Sequence, residues 1–297
     1  MKYTPLFFAI VLAFGFSSCN TDKDPDPTGP NLVFKFKFDP TQERLGSLGT
    51  PVGVAAGNAA QSPSFNSISG HYVELIPSTW TALGAGELVY QGVETTAGGA
   101  NAVDFSKAKV VGENEVFFSI PLEDLAAGTY EYVRVSVTYQ NYDILFNVQG
   151  FTQETGTLAS FVGFNTYLNS YVIDQETVQV NDDKLQGYWG FETTVDVPFV
   201  GPYTTVTEGQ AQPGATTVVN PLFASSPIPA GSCLVTGEFD SPLVLNGNET
   251  EDVTVVLSVS TNQSFEWTDP DGNGQYDPAD GDVPVDMGLR GLKAIVQ

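Results

Sequence analysis

Apolar and polar residues alternate along much of this chain with the period of two that marks strands, and the helical period of 3.6 is almost absent. Leu32, Phe34, Phe36 and Phe38 interleave with Val33, Lys35 and Lys37, which gives a first strand one apolar face. Similar runs follow at residues 71–76, 87–90 and 115–120. The strongest pair covers 129–139 and 142–149: Val133, Val135, Val137 and Tyr139 share a face, Asn141 supplies a turn, and Ile144, Phe146 and Val148 share the next face. Further strands are expected at 187–197, 233–239, 243–245, 253–259 and 289–296. Only residues 122–126 suggest a helical turn, and residues 46–70, rich in Gly, Ala and Ser, read as irregular loop.

Many short strands with Gly/Pro turns predict an all-β fold, a β-sandwich of mainly antiparallel strands with long loops. Residues 31–297 are expected to form one elaborated domain. Within it, 151–231 has weaker alternation and reads as insertion-like, ending in a loop at 210–231 that carries four prolines.

The N-terminus changes the setting. Lys2 precedes an apolar run, residues 5–16, too short to span a bilayer, and Ser17 and Ser18 precede Cys19. Residues 1–18 are therefore expected to be a lipoprotein signal peptide, with Cys19 the lipidated first residue of the mature chain. The acidic, proline-containing run at 20–27 resembles the start of Bacteroidota surface lipoproteins, and 19–30 is expected to be a flexible tether. The expected location is the outer membrane or cell surface, held by lipid.

Charge narrows the partners. The chain carries 11 basic and 35 acidic residues, a net charge of −24, and loss of residues 1–18 removes Lys2 alone. Such a surface repels nucleic acid and anionic lipid headgroups, so membrane attachment rests on the lipid at Cys19. With Cys19 acylated, Cys233 is the sole thiol and no intrachain disulfide forms; within a strand it is expected to be buried and inert.

One stretch has spacing that dictates a chemistry. Counting Asp269 as position 1, oxygen side chains fall at positions 1, 3, 5, 9 and 12: Asp269, Asp271, Asn273, Asp277 and Asp280. Gln275 at position 7 offers its backbone carbonyl, and Gly274 takes position 6, where the loop turns sharply. That order matches an EF-hand-type loop and predicts Ca2+. Position 12 is Asp, one methylene shorter than Glu, so Asp282 or Asp286 is an alternative source of the last ligand. Pro278 and Pro284 oppose a following helix, so the ion is expected to act as a structural staple.

Three stretches resemble a known pattern: Phe34-Lys-Phe-Lys-Phe38 with Leu48-Gly49, His71-Tyr-Val-Glu-Leu75, and Ile120-Pro-Leu-Glu-Asp-Leu-Ala-Ala-Gly-Thr-Tyr130. Together they resemble the β-sandwich lipoproteins grouped with the methanobactin-associated periplasmic protein. That resemblance implies copper bound by His, Met and Trp. This chain has one histidine, His71, and one methionine beyond the signal, Met287, so copper is not carried over.

No Gly-x-Ser-x-Gly elbow, His-Glu-x-x-His or Cys-x-x-Cys occurs, and the single His71 is expected to be a hydrogen-bonded structural residue. Trp80, Trp189 and Trp267, with Tyr139, Tyr142, Tyr167, Tyr171, Tyr188 and Tyr203, are either core packing or ring faces for a sugar or peptide. The expected function is non-catalytic: a surface lipoprotein binding an extracellular glycan, peptide or protein. The alternative is a hydrolase acting on glycan or peptide through Asp/Glu pairs within 151–231.

Overall fold

The computed structural model describes residues 29–45, 50–148, 150–211 and 233–297. Cys19, the signal sequence, nearly all of the tether and all but the first two residues of the 210–231 segment lie outside the described residues. In chain order the first strands are β1 (Asn31–Asp39), β2 (Asn58–Gln61), β3 (Ser64–Ile76), β4 (Glu87–Gln91), β5 (Glu94–Thr95), β6 (Ala102–Asp104), β7 (Val110–Val111), β8 (Val116–Pro121) and β9 (Gly128–Val148). Then come β10 (Phe151–Phe161), β11 (Asn165–Val172), β12 (Thr177–Leu185), β13 (Tyr188–Val197) and β14 (Gly201–Gln210). The chain closes with β15 (Cys233–Leu245), β16 (Val253–Ser260), β17 (Phe265–Thr268), β18 (Val283–Met287) and β19 (Leu292–Val296). Helical structure in the described residues is confined to single 3-10 turns such as Leu122–Asp124. The protein is thus all-β, and its sheets are mostly antiparallel; β1 runs parallel to β16 and β15 to β19.

The 21-residue strand β9 is the backbone of the molecule. One edge pairs with β3 from Asp143 to Tyr132. The other pairs first with β15, Gly128 to Val137, and then with β10, Tyr139 to Val148. The first half builds the sandwich. Val133, Val135 and Val137 face Leu32, Phe34 and Phe36 of β1 and Val255, Leu257 and Val259 of β16 in one buried cluster. Tyr90 of β4 stacks on Phe117 and Phe118 of β8 at 4.8 and 4.9 Å, which locks the layers together.

The second half of β9 carries an extension, β10–β13–β14, covered on both faces beside β9 and exposed along β14. Tyr142, Ile144, Phe146 and Leu158 pack under the three-stranded sheet β2–β17–β18 through Phe265, Trp267 and Met287. On the opposite face Tyr139 and Phe161 pack on Leu168, Tyr171 and Tyr188, beneath the sheet β5–β6–β11–β12.

Two expectations are corrected. Asn141 is not a turn: β9 continues through it, because its buried side chain is satisfied by the Ile173 carbonyl at 2.8 Å and by Asn66 at 3.0 Å. Residues 46–70 are not all irregular, since β2 and most of β3's first half lie there. Gly70 there is a packing feature; a Cβ on it would stand 3.1 Å from the Phe117 ring. Residues 151–211, read as an elaboration on the domain, are strand nearly throughout.

Candidate functional site

The acidic loop leaves β17 at Thr268 and reaches β18 at Val283. Asp269 folds back over it, accepting from the N–H of Asn273 at 3.2 Å and of Gly274 at 2.9 Å. Gly272 and Gly274 both have φ of +72°, a turn that a residue with a Cβ adopts only under strain. The Asn273 amide then stands between two carboxylates, donating to Asp271 at 2.9 Å and Asp277 at 2.8 Å. Its Oδ1 accepts from Gln275 N–H at 2.6 Å. Asp282 is buried and accepts from Asp277 N–H at 2.7 Å. Burial, then the nearby charges of Asp269, Asp277 and Asp271, push the Asp282 carboxyl above its usual range.

Four carboxylates therefore belong together: Asp269, Asp271, Asp277 and Asp282. The other two sequence candidates do not join them. Asp280 lies exposed on the 3-10 turn Pro278–Asp280, and Asp286 is paired with Arg290. Gln275 uses its side-chain oxygen to accept from Asn147 at 2.8 Å and Gln153 at 3.4 Å. The donors are hard oxygens, the chemistry that suits calcium. Among the described residues no three His, Cys, Asp or Glu side chains close on one point as a metal cluster; here the acids close on the Asn273 amide instead.

What fixes the loop to the body is Tyr276. Its ring is buried against Phe265 and Trp267 at 5.0 and 5.5 Å, and burial raises its phenol far above the ordinary value. Below it, Glu266 is held by Arg44, by Asn58 at 2.6 Å and by Ala55 N–H at 3.1 Å. Burial opposes the Glu266 charge, but Asn58 and Arg44 outweigh it and hold the carboxyl below its usual range.

Tyr276 and Pro278 also form one wall of an open groove of about 720 Å3 on the extension. Its floor is the outward face of β13, Trp189, Phe191, Thr193, Val195 and Val197, continued by Tyr203, Thr205 and Thr207 of β14 and by Phe146 and Val148 of β9. Two glycines shape that floor. A Cβ on Gly209 would overlap the Trp189 ring and one on Gly156 the Phe191 ring, so both aromatics lie flat across the neighbouring strand. At the hairpin tip Phe199 is fully exposed and Val200 is 76% exposed.

The remaining sequence candidates are structural. His71 Nε2 lies 2.9 Å from Glu94 Oε1, and Glu94 in turn accepts from Asn101 at 2.6 Å. Burial lowers the His71 pKa against the pull of Glu94. Cys233 is buried, which pushes its thiol up to about 12 despite Arg290 nearby. Trp267, Tyr139, Tyr142, Tyr171 and Tyr188 are buried core residues, Trp80 is exposed, and of the aromatics singled out in the sequence only Trp189 and Tyr203 line the groove. Phe146, Phe151, Phe191 and Tyr276 were not singled out, although Tyr276 inside the acidic loop was the available clue.

Comparison with protein-family models, with curated proteins and with solved structures finds no match to this chain.

Proposed function

We propose that the chain is a non-catalytic lipoprotein, anchored through Cys19 at the outer membrane or cell surface, whose calcium-stabilised loop supports a groove that binds an extracellular ligand. The observation that carries this reading is the double role of Tyr276, which belongs both to the acidic loop and to the groove wall. Ordering the loop orders the wall. In this reading Asp269, Asp271, Asp277 and Asp282 hold the ion, which relieves their mutual repulsion.

Binding is favoured over hydrolysis by what lines the groove: apolar and aromatic side chains, threonines and tyrosines, and among the described residues no Asp, Glu or His. The buried carboxylate in the extension is already occupied, Glu192 accepting from the backbone N–H groups of residues 174–176. Glu208 is taken by Tyr171 and Tyr188. Exposed ring faces with flanking hydroxyls suit a glycan or an extended peptide.

The test is an array of glycans and peptides probed with the wild-type chain and Trp189→Ala, with calcium and with chelator. Binding that needs both calcium and Trp189 supports the reading. Turnover of any arrayed compound, abolished by one carboxylate substitution in 151–211, would replace it with the hydrolase. Cys19→Ser should release the protein from the membrane fraction, and an unlipidated mature N-terminus elsewhere would remove the anchor.

A further inference from the structure

A second concavity, of about 600 Å3, lies on the outer face of the sandwich, within the size range of small-ligand sites. Strand register builds it as a row: Lys37 of β1 beside Ser258 of β16, Ser258 beside Lys293 of β19, and Lys293 beside Glu238 of β15. Two lysines thus meet in one pocket of a chain that has only 11 basic residues, facing the carboxylates of Asp39, Glu238 and Asp240. Lys37 is paired with Asp39 at 2.7 Å, and Asp240 accepts from the N–H of Val296 at 3.2 Å and of Ser241 at 2.9 Å.

Lys293 and Glu238 differ from these. They are exposed neighbours of opposite charge, yet neither closes an ion pair with the other or with any described residue. Beside them Gln42 lines the pocket while only 8% exposed, and its Nε2 is buried without a hydrogen-bond partner. That nitrogen has no accessible surface, so Gln42 closes the pocket from behind and the free charges that meet a ligand are those of Lys293 and Glu238.

We propose that this pocket binds a small zwitterion, an amino acid or a short peptide with free termini. Its carboxylate is held by Lys293, and its ammonium by Glu238. A simple anion would meet the long-range repulsion of a chain with net charge −24 and leave Glu238 facing it. A zwitterion has no net charge to repel and satisfies both free groups at once through charge-assisted hydrogen bonds. Phe239 and Ile295 provide apolar wall for the rest of the molecule.

Calorimetric titration of the purified chain with glycine, β-alanine, glycylglycine, acetate and methylammonium tests this directly. A zwitterion should give saturable binding, with acetate and methylammonium weaker by about tenfold or more. Lys293→Met and Glu238→Gln should each lose about tenfold at unchanged melting temperature, since both side chains are exposed. Trp189→Ala should bind the zwitterion as the wild type does, which separates this pocket from the groove. Acetate or methylammonium binding as tightly as the zwitterions, unchanged affinity in both variants, or no binding of any zwitterion up to about 50 mM would overturn the proposal.

Discussion

The backbone N–H of Asn147 donates to the carbonyl of Tyr276 at 2.9 Å, so the far end of β9 and the acidic loop are hydrogen-bonded to one another. A side-chain bond runs beside it, from Asn147 to Gln275 at 2.8 Å. Whatever stabilises the loop therefore also stabilises the end of the longest strand.

Calcium is accordingly expected to raise the melting temperature. At a concentration 100 times the dissociation constant, linkage adds about 2.7 kcal/mol, or roughly 5–10 °C for a chain of this size. Asp269→Ala, Asp271→Ala and Asp282→Ala should each abolish the gain, whereas Asp286→Ala and Asp182→Ala should retain it. Thermal scans of verified metal-free protein with added calcium, and with magnesium as the weaker comparator, decide the matter; equal melting with and without calcium would leave a metal-free acidic turn.

Gly209→Ala is expected to disturb the groove while leaving the sandwich intact. The added methyl occupies the space of the Trp189 ring, and such overpacking costs about 1–3 kcal/mol. Tryptophan fluorescence should shift as the ring lifts from β14, and ligands captured on the array should be lost in parallel. An unchanged spectrum would show that Trp189 does not depend on that glycine.

Glu74 and Arg134 form a buried ion pair at 2.9 Å, their side chains 0% and 3% exposed. Arg134 also donates to the Thr81 carbonyl, and Glu74 accepts from Gly86 N–H, so the pair pins the 77–86 loop over β3 and β9. Glu74→Ala leaves a buried guanidinium unpaired, which costs about 3–5 kcal/mol. The double variant Glu74→Leu, Arg134→Met should recover much of that loss in urea titrations.

A pH effect follows from His71. Its imidazole binds a proton less tightly in the folded chain than at its ordinary value of 6.5, because burial disfavours the charged form. As pH falls below about 6.5 the unfolded chain takes up the proton first, so stability that is fully present above that pH drains away. Melting temperature should be level above about pH 7 and decline towards pH 5, before most carboxylates titrate. His71→Gln should flatten that decline; the same slope in the variant would assign it to other groups.

Strands with one core face and one more exposed face were legible in the sequence: β1, β8 and β19 fall where the period-two runs put them. Asn141 reads as punctuation in the sequence, whereas its side chain is satisfied by Ile173 and Asn66 inside the protein. The first half of β3 is hidden in the sequence by its Ser, Asn and Gly, which break the apolar alternation. The acidic loop was readable because its residues are contiguous, and the structure altered only which acids converge. The groove was not, because Phe146, Trp189, Tyr203 and Tyr276 come from separate segments that only strand pairing brings together.

The partner exchange along β9 gives the molecule a polarity. Pro30, where the chain enters the sandwich, accepts from Leu122 N–H, only six residues before β9 begins at Gly128. The groove and acidic loop sit at the other end, around Phe146 and Asn147. Twenty-one residues of strand amount to about 70 Å of contour. Under the anchoring proposed through Cys19, β9 would act as a mast, holding the groove away from the membrane, where large external polymers would reach it before they reach the bilayer.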